Sequence, residues 1–380
     1  MTATTNPTDR PASVNDDSRA RLLFARVRRS RLAFVRGRAK LSAGLFIICA
    51  FYFAALLADF IAPYDYREQS RAEPHAPPTP VRFIDAAGSF HPRPFVHPRR
   101  LADPMARRYE EDTTRAHPLT LLPRGHSHKL LGLFTTDRHL FGAASVADHP
   151  APRVYLLGTD EHGRDRFSRL LAAARFSLAV GPLGTLLASL LGVLIGCVSG
   201  YAGRIVDAIL MRAADAMMAL PALVLILAAR AAFPPQMPPR NAAALMISIF
   251  VALGWAEMAR LARGLVMGLR SREFVTAAVA VGATPARVLL RHVLPNAARP
   301  LVVQASLMLP AFLLAETALS YLGVGVQEPE PSWGLMLARA SDLAQLSRHP
   351  LLLLSPAVAI FIFVLGVRLT SDGLRERNDE

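Results

Sequence analysis

The longest run of this sequence without a charged side chain covers residues 176–203, which are 28 residues bracketed by Arg175 and Arg204. A helix needs about 20 apolar residues to cross a hydrocarbon core roughly 30 Å thick. The run is long enough for that, and its apolar residues are continuous rather than confined to one face. It therefore predicts a transmembrane helix and places the chain among membrane proteins.

Other apolar stretches of the chain have the same character. Apolar residues make up 52% of the sequence and are bunched rather than periodic, as in membrane spans. The predicted spans cover residues 41–62, 176–203, 207–229, 242–261, 300–322 and 349–367, the last lying between Arg348 and Arg368. The fourth is the weakest, because Glu257 and Arg260 lie near its end. The sequence thus predicts an all-α polytopic membrane protein with six transmembrane helices.

The distribution of arginines predicts which ends of the spans face the cytoplasm. Residues 1–40 carry ten basic and three acidic side chains, and residues 257–299 carry seven arginines and two glutamates. Basic residues are enriched in cytoplasmic segments. We therefore expect 1–40 to be a cytoplasmic basic tail and both termini to be cytoplasmic. The net charge of +14 follows from this asymmetry, so it does not indicate nucleic-acid binding.

The segment between the first two predicted spans differs in composition from the rest of the chain. Residues 63–175 hold 13 of the 29 prolines and nine of the 11 histidines, and they lack helical periodicity. We expect an extracytoplasmic inserted domain at 63–156, built from short strands and irregular structure. Disorder is the alternative. The segment is basic, but the charge rule does not govern translocated loops of this length.

The histidines of this segment raise the question of a metal site. His126 and His128 lie close together in the sequence, but the remaining histidines, His139 among them, have no spacing typical of metal ligands. A composition rich in arginine, proline and histidine explains most of them. Cys49 and Cys197 both fall inside apolar runs and indicate neither a disulfide nor a thiolate site. We therefore predict no metal site.

The cytoplasmic stretch between the fourth and fifth spans has the pattern of a helix, a break and a second helix. Gly282 can adopt the left-handed conformation that ends a helix. Thr284 suits an N-cap and Pro285 the first helical position. Pro295 is expected to end the second helix. We predict a short, basic, rigid hairpin within 270–296, suited to transmit a push between two spans.

This hairpin resembles the E-A-A…G…L-P signature of ABC importer permeases, whose cytoplasmic loop docks into a groove on the ATP-binding subunit. Thr276 stands where the signature commonly has glutamate, and Val279 where this branch often has arginine. Without the glutamate, residue 276 is not expected to form a salt bridge to the ATPase. The departures do not change the expectation that the loop docks on it. The resemblance implies as coupling residues Thr276, Ala277, Ala278, Gly282, Pro285, Arg287, Leu294 and Pro295.

Further blocks resemble one subgroup, the C-type permease of dipeptide, oligopeptide and nickel importers. Residues 157–169 are similar to its L-G-T-D-x-x-G-R-D-x-x-S-R block, and residues 316–334 to its E-x-x-L-S-F-L-G-L-G…P-x-P-S-W-G segment. With smaller matches, the blocks cover most of 157–375, the predicted permease transmembrane domain. The residues of the outer motif are Asp160, Gly163, Arg164, Asp165, Ser168 and Arg169.

The resemblance implies a type I ABC importer permease fold in a bacterial inner membrane, with the inserted domain between helices 1 and 2. It implies two ATPase subunits, an extracytoplasmic solute-binding protein, and a second homologous permease or another copy of this chain as partners. Di- or oligopeptides are the expected solutes, and nickel or oligosaccharides are the alternatives within the class.

The sequence contains no ATPase motif. No G-x-x-x-x-G-K-[ST] occurs, and only Lys40 and Lys129 could supply its lysine. We therefore expect this chain to be no enzyme and to bind no cofactor, with ATP and Mg²⁺ used by partner subunits.

Two carboxylates within predicted spans are candidates for the translocation path. A carboxylate in mid-span is costly and usually faces a bundle interior or a water path. Glu316 either lines the path or makes a structural hydrogen bond or ion pair. Asp215 has the same two interpretations, and pairing is favoured because Arg212 lies one turn away. A self-contained transporter or channel is the alternative function, but inverted repeats and charges within several spans are not evident.

Overall fold

The chain is described by a computed structural model. The structure describes residues 37–85, 88–105, 107–130, 132–146, 150–221, 224–225, 228, 231–234, 237–322, 324–340 and 349–376. In chain order its helices are α1 (Gly37–Leu56), α2 (Ala58–Ile61), α3 (Arg166–Tyr201), α4 (Arg204–Ala219), α5 (Pro239–Arg270), α6 (Glu273–Ala280), α7 (Pro285–Val288), α8 (Leu294–Tyr321), α9 (Trp333–Arg339) and α10 (Leu351–Glu376).

Five helical stretches within the described residues are long and apolar enough to cross a membrane. They are Gly37–Leu56, Arg166–Tyr201, Pro239–Arg270, Pro285–Ser320 and Leu351–Arg375. They coincide with the predicted first, second, fourth, fifth and sixth spans. Of the predicted third span, α4 covers the first part with 16 residues, and part of 222–230 lies outside the described residues. The multi-span prediction is confirmed, while the count of six stays a prediction.

Helices α3 and α5 pack closely along a ridge of small residues on α3. A Cβ added to Gly192 would lie 2.6 Å from the carbonyl oxygen of Trp255, and one added to Gly196 would lie 2.4 Å from that of Ala259. Such contacts require glycine, because any side chain would push the two backbones apart. This pair forms the centre of the bundle, and its core continues into α8 through Met246, Phe250, Met308 and Phe312.

The packing of the helix ends defines two sides of the bundle. A Cβ on Gly373 would lie 2.6 Å from the backbone nitrogen of Leu41, so the end of α10 lies beside the start of α1. At the other end of α1, Arg175 of α3 donates a hydrogen bond of 3.0 Å to Asp59. The start of α1 therefore lies on the same side as the end of α3 and the end of α10.

Between α2 and α3, the described residues form eight short strands. These are β1 (Arg82–Ile84), β2 (Phe90–Val96), β3 (Arg99–Asp103), β4 (Arg108–Glu111), β5 (His117–Leu121), β6 (Arg124–Leu130), β7 (Phe134–Arg138) and β8 (Phe141–Ala143). An antiparallel sheet has the order β1-β2-β5-β8, and β3–β4 and β6–β7 form two separate hairpins. Phe95 pairs with Pro118 in the sheet and Thr120 with Gly142.

The strands are tied to the bundle through α2 and the chain that follows it. The amide of Leu140 donates to the carbonyl of Phe60 at 2.8 Å, and the amide of Val154 donates to the Tyr64 hydroxyl at 2.6 Å. Burial raises the pKa of Tyr64 above its ordinary value, in keeping with a neutral hydroxyl at this junction. The strand segment is thus fixed to the side of the bundle where α1 ends and α3 begins.

Candidate functional site

The predicted hairpin between α5 and α8 has a sharp break at its tip. Gly282 has φ of 87°, the left-handed conformation that other residues adopt at a cost. The side chain of Thr284 caps α7, accepting a hydrogen bond of 3.4 Å from the amide of Arg287, and Pro285 opens the helix. The predicted order of helix, break and capped helix is present.

The prediction that Pro295 ends the second helix of the hairpin is wrong. A π-helical turn, Leu289–Val293, joins α7 directly to α8, so Pro295 lies in the first turn of α8. Its missing N–H is tolerated there because the hydrogen-bonding pattern changes at the preceding turn. The amide side chain of Asn296 donates to the carbonyl of His292 at 2.6 Å. The second arm of the hairpin therefore runs unbroken into a span.

The inner face of the hairpin is anchored on the bundle. Val275, Val288 and Val293 are buried against Cys197 of α3 and Val266 of α5. Of the candidate coupling residues, those half-buried are Ala278 and Leu294, and those exposed are Thr276, Ala277, Gly282, Pro285, Arg287 and Pro295. The structure thus brings these residues to one short segment, with most of them facing away from the bundle.

The outer face of the hairpin is strongly apolar at its tip. Val281 is 90% exposed, Leu290 65% and Val279 52%. Exposed apolar side chains such as these are available for contact with a protein partner. Val281 and Leu290 could not be identified from the sequence, because neither is a position of the signature and helix periodicity alone does not show which face the bundle covers.

The outer motif folds into a tight loop at the start of α3. Asp160 accepts hydrogen bonds from the amides of His162 and Arg164 at 2.8 and 3.0 Å, and from the Arg164 side chain at 2.7 Å. Gly163 has φ of 69°, and a Cβ there would lie 2.0 Å from the carbonyl oxygen of Ser70. These residues therefore shape a backbone turn, and the glycine is required by both conformation and space.

Two arginines of the outer motif bind one glutamate of the 316–334 block. Arg164 donates to Glu328 Oε2 at 2.6 Å, and Arg169 to Glu328 Oε1 at 3.0 Å. Each arginine side chain is only 5% exposed. Charge-assisted hydrogen bonds of this kind are strong. A charged side chain that is removed from water is destabilising unless an opposite charge compensates it. The two blocks recognised separately in the sequence are thus joined in one buried network.

Asp165 caps α3 from a buried position. Its Oδ2 accepts from the amide of Ser168 at 2.9 Å and from the Ser168 hydroxyl at 2.5 Å. Burial raises the pKa of Asp165 to about 6, although the Ser168 hydrogen bonds oppose that shift. Next to it, Arg166 donates to the carbonyl of Leu351 and the hydroxyl of Ser355 at 2.5 and 2.7 Å. The motif therefore fixes the start of α3 to α10.

Glu316 is buried in a cluster of hydroxyl groups. Its Oε2 accepts from Ser177 of α3 at 3.2 Å and its Oε1 from Ser320 at 3.0 Å. Ser177 in turn accepts from the amide of Trp333 at the start of α9, at 3.2 Å. The side chain is 1% exposed. These contacts favour the structural interpretation of Glu316, a tie between α3, α8 and α9.

Asp215 pairs with a residue on another helix, whereas its sequence spacing favoured a partner on its own helix. Its carboxylate forms a salt bridge with Arg260 of α5, not with Arg212 one turn away. Asp207 pairs similarly with Arg263 of α5, at 2.5 Å. Both pairs hold α4 against α5. Asp215 and Arg260 are each at least half exposed, so the pair is a surface contact between helices.

The structure also brings together three histidines of the inserted segment. The candidate ligand atoms of His126, His128 and His139 all lie within 4.8 Å of one another. The prediction of no metal site rested on sequence spacing, and spacing did not show that a β-hairpin returns His139 to the other two. The group is separate from the hairpin between α5 and α8 and from the outer motif.

Comparison with known proteins gives two family matches and several relatives. Residues 18–78 match the N-terminal TM domain of oligopeptide transport permease C, and residues 192–379 match the binding-protein-dependent transport system inner membrane component. The oligopeptide transport system permease protein OppC of Bacillus subtilis is 37% identical over 237 residues, which are 61% of this chain and 74% of that protein.

Two further comparisons differ in strength. The di/tripeptide transport system permease protein DppC of Pseudomonas aeruginosa is 38% identical over 228 residues, 59% of this chain and 72% of that protein. A solved structure of the inward-facing MetNI methionine ABC transporter covers 53% of this chain and 91% of its own, with a TM-score of 0.41 and 16% identity. The sequence relatives alone carry the family assignment.

Proposed function

Because this chain belongs to the binding-protein-dependent transport system inner membrane components, as a C-type permease subunit of an ABC importer, we propose that it carries di- or oligopeptides across the bacterial inner membrane. Its relatives are named as oligopeptide and di/tripeptide permeases, which supports peptides over nickel or oligosaccharides. The chain works with ATPase and solute-binding partners, and ATP hydrolysis belongs to the ATPase subunits.

The observation that carries the coupling mechanism is the continuity between the hairpin and a span. α7, the π turn and α8 form one helical stretch of 36 residues, Pro285–Ser320. At about 1.5 Å per residue this is about 54 Å long, well beyond a hydrocarbon core of roughly 30 Å. One end therefore projects from the membrane as a lever. A displacement of Pro285 passes into the span because no flexible loop lies between them.

The hairpin also acts on the two helices at its back. Val275 and Val288 pack on α3 and α5 through Cys197 and Val266, so a pull on the hairpin tip moves the ends of three long helices together. Closure of the ATPase dimer on ATP binding would draw the tip inward and close the cytoplasmic mouth. Release would reverse the movement. This is alternating access driven from outside the chain.

The surface of the hairpin suggests the character of the groove that receives it. Val281 and Leu290 are exposed apolar side chains of the hairpin, and Arg272, Arg287 and Arg291 are exposed on the same segment. We therefore expect an apolar groove with an acidic rim on each ATPase subunit. Thr276 offers only a hydroxyl, which donates within its own helix to the carbonyl of Arg272 at 3.3 Å, so the contact does not depend on a salt bridge from that position.

The sides of the bundle support a definite topology. The start of α1, the end of α10 and the hairpin lie on one side, because Gly373 touches Leu41 and the hairpin packs on the end of α3. The strands lie on the other side, beside Asp59 and Arg175. With the basic tail cytoplasmic, both termini and the hairpin face inward and the inserted domain faces outward. Exposed apolar side chains of α4, such as Ile205 and Ile209, are available to lipid or to a second permease.

The substrate is tested by uptake in cells that carry the complete transporter, with and without this chain. We expect labelled di- and tripeptides to accumulate only when this chain and an active ATPase are present, with competition by unlabelled peptides. Accumulation of nickel or an oligosaccharide without peptide uptake would replace peptides by one of the other solutes. Uptake that continues without any ATPase would contradict the importer assignment.

A further inference from the structure

The β6–β7 hairpin of the inserted segment carries three histidines on one surface. His126 and His128 are two positions apart on β6, so their side chains leave the strand on the same face. His139 directly follows β7. The ring centroid of His139 lies 4.4 Å from that of His126 and 4.8 Å from that of His128. The turn of the hairpin therefore brings the three histidines together.

The hydrogen bonds of His139 orient its ring toward the other two. Nδ1 donates to the carbonyl oxygen of Ala62 at 2.7 Å, with the carbonyl of Asp59 also near at 3.1 Å. In the neutral ring this leaves the lone pair on Nε2, which lies 3.1 Å from the carbonyl oxygen of His126. A neutral ring cannot donate from both nitrogens, so with the proton on Nδ1 the lone pair of Nε2 is available to a cation. A carbonyl on one imidazole nitrogen is also the usual outer partner of a metal-ligating histidine.

A second imidazole nitrogen in the cluster lacks a hydrogen bond. Nε2 of His128 is buried, and no partner for it exists among the residues the structure describes. The histidine side chain as a whole is 8% exposed. A buried polar atom of this kind normally has a partner, either protein, water or an ion. The position of Nε2 within the cluster fits an ion shared with the other two rings.

The cluster opens onto a cavity with room for an ion and its remaining ligands. The cavity has a volume of about 230 Å³ and is bounded by the end of α2, the start of α3 and the loop around Tyr66. The charged side chains on its wall are Asp59, Asp65 and Lys129. Asp59 is already paired with Arg175 at 3.0 Å. The site therefore touches both the strand segment and the bundle.

We propose that His126, His128 and His139 bind a divalent transition-metal ion of the zinc class, with water from the cavity completing the coordination. Imidazole nitrogens suit zinc, copper and nickel ions, and three histidines plus water form a common tetrahedral set. Zinc–nitrogen distances of 2.0–2.1 Å place ligand nitrogens about 3.3 Å apart, so the rings must close from separations of up to 4.8 Å. His126, half-buried at the rim, supplies that movement.

The bound ion would fasten the β6–β7 hairpin to the bundle. Nδ1 of His139 hydrogen-bonds to the carbonyls of Asp59 and Ala62, at the end of α2. Ser168 and Ala172 of α3 line the cavity beside the cluster. An ion bound by His126, His128 and His139 would link the β6–β7 hairpin to this part of the bundle through His139. Its role is to fix the outer segment, and it is independent of the solute carried.

The proposal is tested with the full chain, purified in its transporter complex through an affinity tag that contains no histidine. After removal of metal with a chelator, Co²⁺ is titrated and its d–d absorption recorded, and Zn²⁺ is used as competitor. We expect one ion per chain with a tetrahedral Co²⁺ spectrum. His126→Ala should weaken binding by at least about 100-fold, since the loss of even an outer partner costs 10–100-fold. His91→Ala is the matched control, an exposed histidine of the same segment that pairs with Asp85.

Three results would overturn the proposal. They are the absence of a tetrahedral Co²⁺ spectrum in the parental complex, parental affinity in His126→Ala, and an equal loss in His91→Ala. If His126→Ala fails to assemble, His128→Gln tests the same ligand set, because Gln keeps a polar side chain at the buried position. Retained affinity in that variant would equally exclude the site.

Discussion

Arg164 and Glu328, 164 positions apart in the sequence, are joined by a hydrogen bond of 2.6 Å between Nη1 and Oε2. Arg169 binds the same carboxylate. Removing one member of a buried ion network leaves the other charges uncompensated, which costs more than the network itself contributes. The stability of the end of the bundle where α3 begins therefore depends on Glu328.

Replacing Glu328 tests this dependence. We expect Glu328→Gln to destabilise the purified complex by about 2 kcal/mol, because Arg164 and Arg169 lose one of their two carboxylate partners and keep only Asp160. Thermal unfolding in detergent measures the change. Glu330→Gln is the matched control, because Glu330 pairs with Arg67, whose side chain is 55% exposed, and exposed pairs contribute at most about 1 kcal/mol. Equal losses in the two variants would contradict the role of the buried network.

The proposed coupling role of the hairpin is tested at its left-handed glycine. Gly282 has φ of 87° and open space around a Cβ, so Gly282→Val adds backbone strain of roughly 1–2 kcal/mol without a clash. We expect the tip to change direction and substrate-stimulated ATP hydrolysis to fall, while the spans still insert. Retention of ATPase subunits on the purified complex and their hydrolysis rate are the measurements.

The inserted segment offers a closely matched control for that substitution. Gly88 has φ of 82° and also has open space around a Cβ. Gly88→Val therefore introduces the same strain at a site away from the hairpin, and coupling should be unaffected. Full ATPase binding and stimulation in Gly282→Val would show that this loop is not the coupling element.

Glu316 can be assigned by comparing two substitutions. Glu316→Ala removes the acceptor of Ser177 and Ser320, and unpaired buried hydroxyls together with the lost volume should cost about 2 kcal/mol or more. Glu316→Gln keeps one acceptor oxygen and the side-chain volume. If the role is structural, Glu316→Gln retains most of the folded complex and transport per folded complex stays near parental in both. A loss of transport per folded complex in Glu316→Gln would assign the charge to the path.

The buried cap of α3 predicts a pH dependence of stability. The folded-state pKa of Asp165 is about 6 and burial is the cause, whereas an exposed aspartate titrates near 3.9. The folded state therefore binds a proton more tightly than the unfolded state, and stability increases as the pH falls from 7 toward 4. The full effect of this group is about 3 kcal/mol.

Asp165→Asn isolates that contribution. Asparagine is also a good N-cap and carries no charge, so the variant should be more stable than the parent at pH 7.5 and lose this advantage near pH 4. The melting temperature of both proteins across that range gives the difference. A constant difference across the range would show that the carboxylate is not the group responsible.

The sequence was sufficient where a single local property decides the structure. Length and hydropathy identified the spans because a helix in lipid must be apolar throughout, and Gly282, Thr284 and Pro285 identified the hairpin tip because each has a strong local preference. Pro295 was misjudged because it lies in the first turn of α8, where a missing N–H costs little. The π turn before it, Leu289–Val293, joins α7 to α8 and has no sequence signal of its own.

Contacts between distant segments could not be predicted in this way. Nothing near Arg164 in the sequence indicates Glu328, and Asp215 had a plausible partner one turn away while its actual partner is Arg260, on another helix. His139 shows the same limit, because its relation to His126 depends on the path of a hairpin. Such pairs are determined by how the elements pack, which local periodicity does not describe.

The π turn at Leu289–Val293 also affects how this segment tolerates insertions and deletions. A π turn accommodates one residue more than an α turn over the same height. Deleting one residue there would restore an α turn and leave the later side chains facing the same neighbours. Deleting one residue between Pro300 and Pro310 would instead rotate Glu316 about 100° away from Ser177. Length variants among homologous chains should therefore concentrate at this turn.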